Sequence, residues 1–423
     1  MKVLLKQVHI ISPSSAFNGQ TKDILISDGI ISKIDGLIDE KVDTTIGRKG
    51  LCVSLGWVDV FADFGDPGHE NKETIESGAM AAAAGGVTDV LLIPNTSPVI
   101  DNKSQVEYVV QKSKSTAVNI HPIGAVTKNT DGQRLSEMYD MKHSGAMAFS
   151  DGINTIQNPG LLLKALQYVK SFDGTVMQIP DDKSIGTGGL MNEGIISTQL
   201  GLPGKPAMAE ELMVARDIKL ARYAESKLHF TGISSAKSVE YIKRAKSTGI
   251  QITCSVAPHQ LFFCDEDLQG YDTNLKVDPP LRSREDMHAL RNAVFEGDID
   301  CIASHHMPQD WDDKTCEFEY AKPGMLALET MFAVLNTVGC DVDQFVHMQS
   351  VRTREIFGLP VHEIKEGDPA SLTLFDPNEE FVCDETMFKS RSRNTAFIGK
   401  TLKGKVIGII NKGKVELNDN DSF

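Results

Sequence analysis

The sequence predicts an α/β protein, a (β/α)8 TIM barrel with a small β-rich domain formed by both termini. Three observations predict it. Eight short apolar runs recur through the middle of the chain, and most are separated by amphipathic helical patterns. Continuous apolar strands alternating with such helices mean a parallel sheet covered on its outer face, and eight units suggest closure into a barrel. The two ends of the chain share a different, turn-rich rhythm. At 423 residues the chain can bury one body of about 250 residues with a smaller one attached.

Residues 1–54 open the β-rich domain. KVLLKQVHII, DILISDG and IISKIDG are alternating or apolar runs joined by Gly and Asp turns. Residues 55–350 carry the barrel. Its strands are expected at VDVFADF, TDVLLIPNT, VNIHPIGAV, AMAFSDG, GTVMQIP, KLHFTGIS, QITCSVAP and IDCIASHH. Helical spacing marks IESGAMAAAAGG, PGLLLKALQYVKSF, MAEELMVARDIKLARYAES, AKSVEYIKRAKSTG and SREDMHALRNAVFEGD. Two long gaps, from Pro180 to about Met208 and from Leu261 to about Asp298, are expected to hold loops or extra elements. The glycine-rich Gly186-Thr187-Gly188-Gly189 reads as a flexible loop, because it lacks the strand-turn-helix setting of a phosphate cradle. Met325 and Met331 read as packing residues on a helix. Residues 351–423, with Gly-Lys turns between β-branched runs, complete the β-rich domain.

Composition narrows the functional classes. The chain has 43 Lys and Arg against 58 Asp and Glu, a formal charge of −15. That excess argues against nucleic acid as partner and, less strongly, against an anionic membrane surface. Seven cysteines without a CxxC pair form neither a disulfide framework nor a zinc ribbon. The N-terminal run reads as a first strand, not a signal peptide, and no apolar stretch reaches membrane-spanning length. The cytoplasm is the expected location.

Barrel chemistry is done at the C-terminal strand ends. Read in order, these hold Phe61 and Asp63, Asn95, Thr127, Ser150 and Asp151, Gln178, Gly232, His259, and His305 with His306. Asp63, Asp151, His259, His305 and His306 are the metal-capable set. The plain alternative is that Asp63 and Asp151 cap turns and that His259 sits in a loop. A hydrolytic ion needs several ligands from separate strands and an open position for water. Phe61 cannot coordinate, Gln178 is a poor zinc ligand, and Gly232 has no side chain. His69, just past the first loop, suits a surface or capping role.

The stretches GWVDVFADFGDPGHENKETIESG, GGVTDVLLIPNTSPVID, GAMAFSDG, HFTGISS, TCSVAPHQL, NLKVDPPLRSREDMHAL, IDCIASHHMP, KPGMLALET and GDPASLTLFDP resemble the dihydroorotase family of the amidohydrolase superfamily. The resemblance runs over almost the whole chain. Hydrolysing members carry His-Xaa-His after the first-strand aspartate, then an arginine and Asp/Glu-Pro-Gly. Here Phe61 and Asp63 stand in the histidine places and Gly65 in the arginine place, while Asp66-Pro67-Gly68 is kept. Asp151 remains of the Phe-Ser-Asp-Asp-Gly stretch. The fifth- and sixth-strand histidines correspond to Gln178 and Gly232. His305 occupies the place of the catalytic aspartate, where it is expected to be inactive. Asp278 replaces the usual asparagine, and Asn95 is the retained substrate-contacting residue.

The resemblance therefore implies a dihydroorotase-like protein of pyrimidine biosynthesis that has lost hydrolysis and needs no cofactor. It also implies a structural partnership with aspartate carbamoyltransferase, and homo-oligomers. The alternative is a metal-dependent cyclic amidohydrolase with a rebuilt site. Asp63, Asp151, His259 and His305 would then hold zinc, and His306 would carry a proton.

Overall fold

The structure, a computed structural model, describes residues 1–418; residues 419–423 at the end of the expected C-terminal segment lie outside the described residues. Eight parallel strands follow one another around the barrel: Trp57–Ala62, Val87–Leu92, Asn119–Gly124, Ala148–Phe149, Thr175–Gln178, Lys227–Phe230, Ile252–Val256 and Cys301–Ile302. Each coincides with one of the apolar runs. The first and last meet through a parallel bridge between Ala62 and His306, and Asp63 N–H donates to the His306 carbonyl at 2.9 Å.

The helices begin where short polar side chains can take up free backbone N–H groups. Thr74 caps Ile75–Ala84 in a capping box with Ser77. Asn158 caps Pro159–Lys170, with proline in the first turn, where its missing N–H costs nothing. Ser235 and Ser283 cap Ala236–Ser247 and Arg284–Phe295. Met208–Ala224 completes the set of helices expected from spacing.

Both long gaps carry structure. The first holds a parallel pair, Met191–Asn192 with Gly204–Lys205, and the helix Ile195–Leu200 between them. The second holds two 3-10 turns, Asp265–Gly270 and Thr273–Leu275. The glycine-rich segment is packed against a neighbour: a Cβ on Gly189 would lie 2.6 Å from the Lys205 Cβ. Its glycines give the lysine stem room, which corrects the expectation of a free loop.

The two termini build one mixed sheet. The strand order is Lys414–Leu417, Thr401–Asn411, Leu372–Val382, Cys52–Leu55, Lys2–Ile10, Thr21–Ser27 and Ile30–Asp35, with Thr44–Ile46 alongside Lys2–Ile10. Leu372–Val382 runs antiparallel to Cys52–Leu55, so the end of the chain returns beside its beginning. Its core includes Leu5, Val53, Leu372 and Ile410. Lys412 and Gly413 both have positive φ, 52° and 70°, as a two-residue hairpin turn requires. Gly404 is not a turn: it lies inside Thr401–Asn411, and a Cβ there would meet Asn336 at 2.7 Å and Phe332 at 2.9 Å. Where the barrel meets this sheet, Trp57 packs on Phe332, Phe345 and Phe375 with ring centroids 5.0, 5.0 and 5.3 Å away. Met331 starts the helix Met331–Thr337, whereas buried Met325 precedes it in a bridge to His306.

Candidate functional site at the barrel mouth

The strand ends converge at one end of the barrel, and their side chains are spent on one another. Phe61, fully buried, stacks on His305 with centroids 4.5 Å and planes 25° apart. His305 Nε2 lies 2.9 Å from Thr231 Oγ1, Ser255 Oγ donates to that same hydroxyl oxygen at 2.9 Å, and His229 Nε2 lies 3.1 Å from Ser255 Oγ. Thr231 Oγ1 thus joins His305 to the Ser255 hydroxyl. Burial, then the neighbouring His259 and His229, lower its pKa to about 3, and burial does the same to His229. Both rings are neutral.

Asp63, Asp151, Asn95 and Gln178 are engaged as well. Asp63, partly buried, accepts from Gly65 N–H at 2.8 Å, and burial raises its pKa. Asp151 accepts from Thr127 N–H at 2.8 Å and Thr127 Oγ1 at 2.5 Å; burial carries its pKa up to about 6. Asn95 donates to the Asp151 carbonyl at 3.1 Å and accepts from Ile153 N–H at 3.0 Å. Gln178 turns to the Ile156 carbonyl and to Asp217, each at 3.4 Å. His259 is buried with no partner at Nδ1, and its pKa falls to about 3 through burial.

Gly65 has φ +64°, and a Cβ there would lie 2.6 Å from the His69 carbonyl oxygen, so this loop shape excludes an arginine. Asp66 is buried and faces away from the barrel axis, toward Tyr108 Oη at 3.0 Å and Lys112 Nζ at 2.5 Å. Its role in this loop is structural. His69 is exposed. Asp278 is exposed too and pairs with Lys205 at 2.7 Å.

His306 leaves the predicted set for a partnership that sequence reasoning missed. Its Nε2 lies 3.6 Å from Glu73 Oε2, and both side chains are fully buried. Burial works against the His306 charge, but Glu73 and Glu329 outweigh it and raise the pKa. Burial likewise opposes the Glu73 charge, and His306, Ser390 and Ser77 overcome it. The shifts favour the charged forms of both, and the 389–395 segment is tied to this corner: Ser390 also bonds Glu73, and Asn394 Nδ2 donates to the Met307 carbonyl at 2.9 Å. Glu73 directly precedes the cap residue Thr74, where an acidic residue reads as ordinary helix-start charge.

A hydrolytic ion does not fit this arrangement. Among the described residues no group of three or more His, Cys, Asp and Glu side chains is placed to hold one. Of the four proposed ligands, Asp63 serves its own loop, Asp151 serves Thr127 and His305 is tied to Thr231, which leaves His259 alone without a hydrogen-bond partner at Nδ1.

Comparison with known proteins places the chain. Residues 51–238 match the family model described as Dihydro-orotase-like. The chain is 39% identical over 422 residues to a dihydroorotase of Syntrophus aciditrophicus, covering 98% of this chain and 99% of that protein. It is 39% identical over 423 residues to a dihydroorotase of Acetivibrio thermocellus, covering 99% of each. In fold it is similar to the L-hydantoinase of Arthrobacter aurescens, with a TM-score of 0.86 at 22% identity, covering 100% of this chain and 97% of that one. With relatives at this identity aligned from end to end, the chain belongs to the dihydroorotase family.

Proposed function

We propose that this chain is a non-catalytic dihydroorotase-family protein of pyrimidine biosynthesis, acting in the cytoplasm as a structural partner of aspartate carbamoyltransferase. One observation carries the loss of catalysis: the side chains at the strand ends are committed to internal contacts, and the set that would hold an ion is dispersed. Without converging ligands, nothing lowers the pKa of a water toward neutrality. His305, held neutral by burial and tied to Thr231 through Nε2, replaces a carboxylate base that would take the proton. Gly65 removes a guanidinium fork that would clamp a substrate carboxylate.

The outer surface supports a binding role. Helix Met208–Ala224 leaves Met208, Leu212 and Tyr223 exposed. Leu212 and Tyr223 are eleven residues apart and fall within about 20° of each other around the helix. Exposed apolar side chains on one face are what a partner or a second copy of the chain would cover. Among the described residues no helix is long and apolar enough to cross a membrane.

The name dihydroorotase carried by the relatives favours a second reading, a working cyclic amidohydrolase with zinc. The test is to assay dihydroorotate hydrolysis by the purified chain with added zinc, alone and mixed with aspartate carbamoyltransferase, and to sediment the mixture. A stable mixed complex without turnover by this chain is expected. Turnover by the isolated chain at an ordinary enzyme rate overturns the proposal.

A further inference from the structure

We infer that Phe61, Gly232 and His305 form one interdependent packing unit, which has turned the mouth of the barrel into core and closed it to both metal ion and substrate. This goes beyond loss of activity. A site that had merely lost its ligands would keep its cavity, but here the space is refilled.

The unit sits at the seam between the first and last strands, which side chains hold as much as backbone. Below it, Asp59 accepts from Ser304 N–H at 2.6 Å and Ser304 Oγ at 2.8 Å. The Gln349 amide bridges the same two strands, donating to Val58 O at 3.1 Å and accepting from Ile302 N–H at 2.8 Å. At the mouth end the seam is completed by the Phe61–His305 stack. His305 holds φ +48°, the left-handed region, where a non-glycine residue needs compensating contacts. The stack and the Thr231 bond supply them.

Gly232 holds φ +69°, the left-handed region that favours glycine, and its missing side chain also lets the imidazole in. A Cβ at this position would lie 2.7 Å from His305 Cε1 and 3.2 Å from Nε2, with Pro279 at 3.3 Å. The three positions therefore fit only as a set. A side chain at 232 displaces His305, and loss of the ring at 61 or 305 opens a void at the seam. Little of this set faces solvent: Phe61 and Gln178 are at most 1% exposed and His259 and His305 at most 4%.

The experiment is thermal unfolding of the full chain with Gly232→Ala introduced into the wild type and into His305→Ala, and with Phe61→Leu as the milder probe of the stack. Gly232→Ala is expected to lower Tm by roughly 2–4 °C in the wild type and by measurably less beside His305→Ala, where the strain of the left-handed backbone remains but the clash with the imidazole is gone. Equal losses in both backgrounds overturn the unit. If His305→Ala fails to fold, His305→Gln, whose amide can donate to or accept from Thr231, replaces it in the same cycle. Zinc chloride, EDTA and dihydroorotate, each added to the wild type, are expected to leave Tm within about 1 °C. Stabilisation by zinc or dihydroorotate overturns the closure. These readouts are independent of any complex with aspartate carbamoyltransferase, so failure here and failure of the functional proposal are separate results.

Discussion

Lys205 Nζ stands 2.7 Å from Asp278 and 2.9 Å from Asp181, joining the excursion after the fifth barrel strand to the loop that faces it. The lysine is one-tenth exposed and its pKa is raised: burial opposes its charge, and the two carboxylates win. From the sequence, Asp278 reads as a repulsive charge beside an anionic substrate. In the fold it is neutralised, and it fastens the 181–205 excursion over the mouth. Lys205→Met is expected to cost about 1–3 kcal/mol, between the values for exposed and buried pairs, and to speed proteolysis within 181–205. Asp278→Asn leaves Asp181 in place and is expected to cost less than about 1 kcal/mol. Limited proteolysis beside urea unfolding separates the two variants. Equal cleavage rates for Lys205→Met and the wild type would remove the fastening role.

At the opposite end of the barrel, Arg354 Nη2 pairs with Asp89 at 2.7 Å, with both side chains under one-tenth exposed. Arg354 also donates to the Gly56 and Ser350 carbonyls at 2.8 and 2.9 Å. Burial opposes the Asp89 charge, yet His121, Arg354 and Thr88 hold its pKa at about 2. Removing the arginine takes the guanidinium from a buried carboxylate, leaving it Thr88, Asn119 and His121, and takes a donor from two carbonyls. Arg354→Met is therefore expected to destabilise the chain by about 3–5 kcal/mol in denaturant unfolding. Asp89→Asn keeps the hydrogen-bonding shape and is expected to cost less. The reverse order would mean that the charge pair is not what holds this end.

The barrel was legible because strand and helix periods repeat eight times, and a repeated signal survives local ambiguity. At the strand ends the sequence shows residue types, Phe61 and Gly232 without a ligand atom and Gln178 with a weak one, but not what each touches. What sequence could not give was direction. Asp151 accepts from Thr127, and His306 turns to Glu73, far away in the chain; neither pairing has a spacing signature. Gly404 read as a turn because its chain neighbours look turn-like. Only the packed Phe332 and Asn336 reveal a close approach.

His229 offers a test of the buried ladder through pH. Its ring is fully buried, bonded at 2.8 Å to Thr253 Oγ1 and at 3.1 Å to Ser255 Oγ, and set edge-on to Phe357 at 5.3 Å. Burial lowers its pKa from 6.5 to about 3. Between those values the unfolded chain binds a proton that the folded chain refuses. The stability contributed by the neutral ring is thus complete above 6.5 and is lost as pH falls toward 3, by about 1.4 kcal/mol per pH unit. Asp151 and Asp217, both raised to about 6 by burial, act in the opposite sense between 3.8 and 6. They are present in wild type and variant alike and cancel in the difference. His229→Gln gives up the ring's packing and part of its bonding, and at pH 7.5 it is expected to be less stable by about 1–3 kcal/mol. Because it no longer titrates, the gap is expected to close as pH falls and to vanish between about pH 4 and 6. Urea unfolding of both proteins from pH 7.5 to 4.5 measures it. Parallel curves would mean that the ring is already protonated in the fold, and the neutral ladder running from His229 to His305 would have to be redrawn.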